Sequence, residues 1–145
     1  TMLRCDWSSD VCSSDLAAMT TETYAADAIA AAKDILVELV EWNRQRVAAR
    51  ADPLRMGVGV AVGSVVFGAV GDDTRLEYTV IGDAVNLAAK LEKHCKVEAV
   101  QALTTASAMA RARDQGYVLA ADHDILPARG IEGVDETLDL AVIVA

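Results

Sequence analysis

The hydrophobic period of this sequence changes abruptly at Gly82, and this change constrains the fold more than any other feature. From residue 76 to residue 81 apolar and polar residues alternate, which is typical of a β-strand. After Gly82 the apolar residues recur every three or four positions and fall in one stripe of a helix: Ala84, Leu87, Ala88, Leu91 and Cys95. The pattern therefore predicts a strand that runs directly into a helix, with Asn86 and Lys90 on the helix face that is open to solvent.

The other elements are predicted by the same reasoning. Asp83 is predicted to be the N-cap of the helix that follows Gly82. A long helix is predicted from Thr21 to Arg50, where Asp52-Pro53 ends it. A Val-rich buried strand is predicted over 54–62, a tight apolar connection over 63–71, a charged turn over 72–75, a strand over 100–103, a helix over 106–114, and strands over 117–120 and 138–144. We predict an α/β fold, an antiparallel-rich sheet packed by helices.

Length and charge exclude several classes of partner. A chain of 145 residues is long enough for one domain with one modest core. The net charge of −9 argues against a nucleic-acid partner, which would need a cluster of basic residues on one face. The longest charge-free stretch, 56–71, is rich in glycine and shorter than the roughly 20 apolar residues that cross a bilayer. No membrane contact is expected from this segment.

Residues 5–16, CDWSSDVCSSDL, resemble a translated sequencing adapter rather than a piece of a natural protein. We therefore divide the chain into a non-native leader, 1–16, and a domain portion, 17–145, and exclude the leader from the prediction of the fold. The alternative is a native, disordered leader rich in Ser and Asp. Excluding it leaves Cys95 as the native cysteine, predicted to be an inert thiol in the core, and implies that the chain is part of a longer protein.

Two neighbouring stretches carry a resemblance to a known family. Residues 75–92, RLEYTVIGDAVNLAAKLE, and residues 57–71, GVGVAVGSVVFGAVG, closely resemble the signature of class III adenylate and guanylate cyclase catalytic domains, with weaker agreement from about residue 25 to residue 143. The resemblance implies an α+β sandwich, the ferredoxin-like nucleotide cyclase fold, truncated at its N-terminal side. It also implies a parent enzyme that converts ATP to 3′,5′-cyclic AMP and pyrophosphate for intracellular signalling in the cytoplasm, with any membrane anchor upstream.

The resemblance assigns roles to four residues. Thr79 matches the residue that reads the purine. It replaces the more familiar Asp, a variation of a bacterial-type branch of the family that is associated with ATP, so ATP is implied and GTP is less expected; a Thr hydroxyl discriminates less sharply than a carboxylate, because it can donate as well as accept a hydrogen bond. Asn86 and Lys90 match the catalytic pair that orients the ribose or phosphate and stabilises the transition state, although the family usually has Arg where this chain has Lys90. Arg129, with Gly130, resembles a turn that contacts the triphosphate. The chemistry of Asn86 and Lys90 supports their assigned roles, since an amide and an ammonium one helical turn apart can bind a single anion. The alternative is that both are solvated side chains.

The resemblance also bears on metals and partners. The family binds Mg²⁺ or Mn²⁺ through two Asp residues that would precede Leu16, so no metal ligand is assigned in this chain, and the chain alone is expected to be inactive. His94 and His123 have no partner at metal-ligand spacing. Because the family forms its sites between two catalytic domains, a homodimer or a partner cyclase domain is implied.

Two features of the sequence are compatible with other functions. One of these functions is a non-catalytic, cyclase-like regulatory or nucleotide-binding module, which the replacement of Arg by Lys90 favours. The other is a dinucleotide-binding fold, suggested by the Gly-x-Gly-x-x-x-Gly run over 57–63, but the spacing of its glycines differs from the fingerprint of that fold.

Overall fold

A computed structural model describes residues 21–72, 75–118 and 124–145. The described elements are, in order, α1 (Tyr24–Ala48), β1 (Val58–Val60), β2 (Val66–Asp72), β3 (Arg75–Ile81), α2 (Asp83–Glu98), β4 (Ala102–Thr105), α3 (Ala106–Asp114), β5 (Ile125–Arg129) and β6 (Leu138–Val144). None of the helices in these ranges is long and apolar enough to cross a membrane.

The main sheet has four strands in the order β1-β4-β6-β5. β1 and β4 are parallel, with Val58 opposite Ala102, whereas β4 and β5 both pair antiparallel with β6. β2 and β3 form a separate antiparallel hairpin in which Val66 pairs with Ile81. The prediction of an antiparallel-rich sheet packed by helices is therefore confirmed.

Helices cover both faces of the main sheet. On one face Ile29 of α1 packs in a cluster with Met109 of α3 and Ala141 of β6. On the other face Leu91 of α2 packs in a cluster with Leu140 of β6 and its neighbours. Leu140 and Ala141 are adjacent in β6 but pack on opposite faces of the sheet, because side chains alternate across a strand. Complete burial of side chains such as Ile29 and Leu91 contributes about 1.5–3 kcal/mol each to the folded state.

Helix α2 lies unusually close to β1, and glycine makes this approach possible. A Cβ atom added at Gly59 would lie 2.1 Å from the carbonyl oxygen of Ala88 and 2.6 Å from the backbone nitrogen of Glu92. Heavy atoms do not approach this closely, so the backbone of α2 can occupy its place only where β1 has no side chain. This contact fixes α2 relative to the main sheet and thereby positions the residues at the beginning of the helix.

Most of the predicted elements are confirmed, with small shifts at their ends. Helices α1, α2 and α3 and strands β3, β4 and β6 all lie where periodicity places them. The prediction of a connection over 63–71 is wrong, because residues from Val66 onward form β2. Gly68 and Gly71 have low strand propensity, but pairing with β3 outweighs that preference.

Two strand predictions also need correction. The strand predicted over 54–62 is limited to β1, because its hydrogen-bonding partner β4 pairs with only three of its residues. The strand predicted over 117–120 is wrong for Tyr117 and Val118, which are not in a strand, and residues 119 and 120 lie outside the described residues. The strand that pairs with β6 from this part of the chain is β5 instead.

Candidate functional site

The beginning of α2 is formed by a direct passage from β3 through Gly82. The backbone N–H groups of Val85 and Asn86 donate to the carbonyl oxygen of Gly82, at 3.1 and 3.4 Å. Gly82 is therefore the N-cap and Asp83 is the first helical residue, without a side-chain cap, so the prediction that Asp83 caps α2 is wrong by one position. An acidic residue in the first turn still interacts favourably with the helix dipole.

A cavity of about 540 Å³ opens beside this helix start. Its wall has three parts: the first two turns of α2, the chain that follows β1, and the chain that leads into β6. The lining residues are Val62, Gly63, Ser64, Asp83, Ala84, Asn86, Leu87, Lys90, Gly133, Val134, Asp135 and Leu138. The cavity therefore combines an apolar floor with one amide, one ammonium, one hydroxyl and two carboxylates.

Asn86 and Lys90 lie together in this cavity. Both line its wall from α2, one helical turn apart; Asn86 is exposed and Lys90 is half-buried. The ammonium of Lys90 donates a hydrogen bond to the backbone carbonyl of Gly133. An amide and a cation at neighbouring positions can bind two oxygens of one anionic ligand.

The other two residues named from the sequence lie elsewhere. Thr79 is half-buried in the hairpin, opposite Gly68 of β2, and is not part of the cavity lining. Arg129 ends β5, and its Nε lies 2.9 Å from Oε1 of Glu98, two helical turns beyond Lys90. In the described part of the chain, the cavity therefore brings together two of the four candidate residues.

Arg129 belongs to a small polar cluster at the far end of α2. Oε1 of Glu98 lies 3.1 Å from Nε2 of His94, one turn earlier on the helix, as well as 2.9 Å from Arg129. His94 is buried, so of the two roles expected for a histidine without a metal partner, structural or solvent-exposed, the structure supports the first. His123, the second histidine, lies outside the described residues.

Cys95 agrees with its predicted role as a core thiol. The side chain is buried and free, and Sγ donates to the carbonyl oxygen of Val58 at 3.5 Å. Burial raises the pKa of this thiol, and the nearby Glu92 carboxylate raises it further. A thiol with a raised pKa forms little thiolate near neutral pH, so Cys95 is a poor nucleophile.

Several residues of the cavity were missed by sequence reasoning. Ser64, Asp135 and Gly133 were given no role, because each lies in a connection whose path depends on tertiary packing. One signal was available for Gly133, since glycine is a common turn residue that adopts a positive φ without steric cost.

The cavity does not fit a metal ion by itself. No group of three or more His, Cys, Asp and Glu side chains that could hold one is present among residues 21–72, 75–118 and 124–145. Asp83 and Asp135 both line the cavity, but two carboxylates bind Mg²⁺ or Mn²⁺ only when water and substrate phosphates supply the remaining ligands.

Comparison with known proteins identifies the family. The sequence profile of the adenylate and guanylate cyclase catalytic domain matches residues 11–135, which is most of the chain. The chain belongs to this family. The match confirms the resemblance drawn from residues 57–71 and 75–92, and it places the cavity within a cyclase catalytic domain.

Individual cyclases agree with this assignment. The terminal-differentiation-specific adenylate cyclase of Dictyostelium discoideum is 45% identical over 47 residues, or 32% of this chain and 2% of that protein. A bacterial light-regulated adenylyl cyclase superposes with a TM-score of 0.64 at 26% identity, covering 84% of this chain and 34% of that one. The guanylyl cyclase Cya2 superposes with a TM-score of 0.68 at 24% identity, covering 88% and 60%, and this likeness concerns the fold alone. The chain thus spans only part of each cyclase it matches.

Proposed function

We propose that the chain is part of an adenylate cyclase domain whose parent converts ATP to 3′,5′-cyclic AMP and pyrophosphate. The observation that carries the proposal is the position of Asn86 and Lys90, side by side in one cavity at the beginning of α2. The family supplies the type of reaction, and the cavity supplies the groups that would contact the substrate. Family membership further suggests that the complete site forms between two such domains, in a homodimer or with a partner cyclase domain.

Each of the two side chains has a distinct part in this reaction. The amide of Asn86 donates and accepts hydrogen bonds, so it can orient a ribose hydroxyl or a phosphate oxygen. The ammonium of Lys90 carries a full positive charge and stabilises the negative charge that builds up on the phosphate during transfer. The positive end of the dipole of α2 lies at the same place and favours the same anion. Together these groups hold the reacting phosphate next to the ribose.

Two residues stand apart from the cavity and enter the proposal differently. Thr79 would read the purine through its hydroxyl, which accepts a hydrogen bond from the adenine amino group; this is the basis for proposing ATP rather than GTP. Arg129 would contact the triphosphate, but its guanidinium would first have to leave Glu98, whose carboxylate it now meets at 2.9 Å.

The metal ions of the intact parent are proposed to be Mg²⁺ or Mn²⁺. They would supply charge neutralisation on the phosphates and a more acidic ribose hydroxyl. We assign their ligands to two Asp residues of the parent, as the resemblance implies; no group of three or more metal-binding side chains lies among the described residues.

A second function is favoured by one specific feature. Lys90 stands where the family usually has Arg, and a point charge cannot make the planar two-pronged contact of a guanidinium. A domain of this kind could bind nucleotide without converting it and act as a regulatory module. The two functions share the cavity and differ in whether a reaction follows binding.

Equilibrium binding of ATP and GTP to the chain tests the shared part of both functions. We expect ATP to bind more tightly than GTP, and Asn86→Ala and Lys90→Ala each to weaken ATP binding by about tenfold. Lys93→Ala is the matched control, because Lys93 is an exposed lysine of the same helix that does not line the cavity. Equal affinities for the wild type, Lys90→Ala and Asn86→Ala would overturn the assignment of this cavity.

A further inference from the structure

Gly133 lies in a tight turn that is held in place by one buried and one half-buried side chain. The backbone N–H of Val134 donates to the carbonyl oxygen of Ile131 at 3.0 Å, which closes a four-residue turn over 131–134. Ile131 is buried in the core cluster between α2 and the main sheet, and Val134 packs against the same cluster. The third residue of the turn, Gly133, has a φ of +75°, the positive value that a type II turn requires at this position. The turn therefore presents the Gly133 carbonyl in a fixed direction.

The partner of this carbonyl is the ammonium of Lys90. The two residues are 43 positions apart in the chain and meet at the wall of the cavity. A Cβ atom added at Gly133 would lie 3.3 Å from Cε and 3.4 Å from Nζ of Lys90, so the lysine passes directly over the glycine. A long, flexible side chain is thus held at one point by a rigid backbone group.

The hydrogen bond to Gly133 leaves the charge of Lys90 uncompensated. In the part of the chain that the structure describes, no carboxylate forms an ion pair with this ammonium, although Asp83 and Asp135 line the same cavity. An ammonium has three donors, of which the carbonyl uses one. Two donors and a full positive charge therefore remain for an anionic ligand.

We propose that Gly133 is a positioning residue: its carbonyl holds the Lys90 ammonium at the cavity wall, ready to bind the phosphates of a nucleotide. A free lysine loses side-chain entropy when it binds a ligand, and a lysine that is already held loses less. The turn over 131–134 thereby compensates in part for the absence of the rigid fork that an arginine would bring to this position. The inference rests on the proposed function, because it concerns the anion that Lys90 would bind.

A double-mutant cycle on the chain tests whether Gly133 acts through Lys90. The four proteins are the wild type, Gly133→Ala, Lys90→Met and the double variant, titrated calorimetrically with inorganic triphosphate and separately with ATP. Gly116→Ala is the matched control, because Gly116 also has a positive φ, +93°, but no atom lies within 4 Å of its added Cβ. It introduces the same kind of backbone strain at the end of α3, away from Lys90.

We expect Lys90→Met to weaken triphosphate binding by about tenfold or more and Gly133→Ala by at least about threefold. Gly116→Ala should bind like the wild type, and the double variant should bind no more weakly than Lys90→Met alone. If Gly133→Ala binds like the wild type, or if its effect persists in full when Lys90 is Met, the positioning role is wrong. If the wild type binds neither ligand, the proposed function and this inference both fail; if only the Gly133 arm fails, the proposed function stands.

A second measurement protects the test against misfolding of Gly133→Ala. Nuclear magnetic resonance of the Lys90 ammonium reports its hydrogen bond, because proton exchange with water slows when the group is held. The signal should be visible in the unliganded wild type and in Gly116→Ala, and it should be weakened in Gly133→Ala. Gly133→Asn provides a further variant, since Asn tolerates a positive φ but adds the same Cβ beside Lys90; a weakened signal in this variant as well would come from the contact with the lysine rather than from backbone strain. Rapid exchange of the Lys90 ammonium in the wild type would overturn the inference on its own.

Discussion

Replacement of Gly59 by Ala places a methyl group directly in the close contact between α2 and β1. The new Cβ would meet the carbonyl oxygen of Ala88 at 2.1 Å and the nitrogen of Glu92 at 2.6 Å, and both are backbone atoms of the helix. To restore a separation of about 3 Å, α2 would have to move away from β1 by about 1 Å. Because Leu91 is completely buried in this interface, such a shift loosens the core as well as straining the backbone.

We expect Gly59→Ala to lower the free energy of unfolding by about 3 kcal/mol or more, at the upper end of the cost of overpacking. For a domain of this size the melting temperature should fall by roughly 10 °C. Urea unfolding followed by circular dichroism measures the first quantity and a thermal melt the second. The midpoint of the urea transition should shift, while the dependence of the unfolding free energy on urea concentration should stay the same, because the native state remains compact.

Two other glycines provide a graded control. A Cβ at Gly57 would lie 3.2 Å from the carbonyl oxygen of Glu92, so Gly57→Ala should cost about 1 kcal/mol. A Cβ at Gly68 of β2 would meet no atom within 4 Å, so Gly68→Ala should change the stability by no more than about 0.5 kcal/mol. If Gly59→Ala proves as stable as Gly68→Ala, the close approach of α2 to β1 is wrong.

Three further predictions concern the end of α2, the buried thiol and the activity of the chain. Ala99 ends α2 with a φ of +55°, so Ala99→Gly should raise the free energy of unfolding by about 0.5–1 kcal/mol in urea titrations, and a loss of stability would contradict the left-handed cap. Burial raises the pKa of the Cys95 thiol in the folded state. The stability that the protonated thiol contributes is therefore fully present below the pKa of the unfolded thiol, near 9.0, and is lost as the pH rises through the pKa of the folded state. This loss of stability should be absent in Cys95→Ala. In a variant with Cys5 and Cys12 replaced by serine, iodoacetamide should modify native Cys95 far more slowly than the unfolded chain. The purified chain should make no cyclic AMP above an Asn86→Ala control with Mn²⁺ or Mg²⁺, since the proposed reaction needs metal ions whose Asp ligands we assign to another part of the parent; clear production would show that the site is more complete than proposed.

The sequence predicted the elements whose hydrophobic period is strong and local. The apolar stripe that contains Leu91 and Cys95 fixed the buried face of α2, and the structure buries both. It also placed Asn86 and Lys90 on the opposite side, where they reach the cavity. Hydrophobic period is sufficient here because a helix that covers a sheet must bury one stripe.

The features that the sequence did not predict depend on pairing between distant segments. β2 contains Gly68 and Gly71 and has no clear alternation, so only its pairing with β3 makes it a strand. The separation of Arg129 from the cavity depends on Glu98, a partner 31 positions away that no local pattern indicates. The contact between Lys90 and Gly133 likewise joins two residues that are 43 positions apart in the chain.

The steady-state kinetics of Lys90 variants in the domain restored from the intact gene test the central claim most directly. If Lys90 stabilises the transition state, Lys90→Ala should lower kcat much more than it raises KM for ATP, and Lys90→Arg should preserve or raise the rate. Lys93→Ala, the exposed control on the same helix, should leave both constants nearly unchanged. A kcat for Lys90→Ala within about twofold of the wild type, or roughly 0.4 kcal/mol, would contradict the account and remove Lys90 from the mechanism.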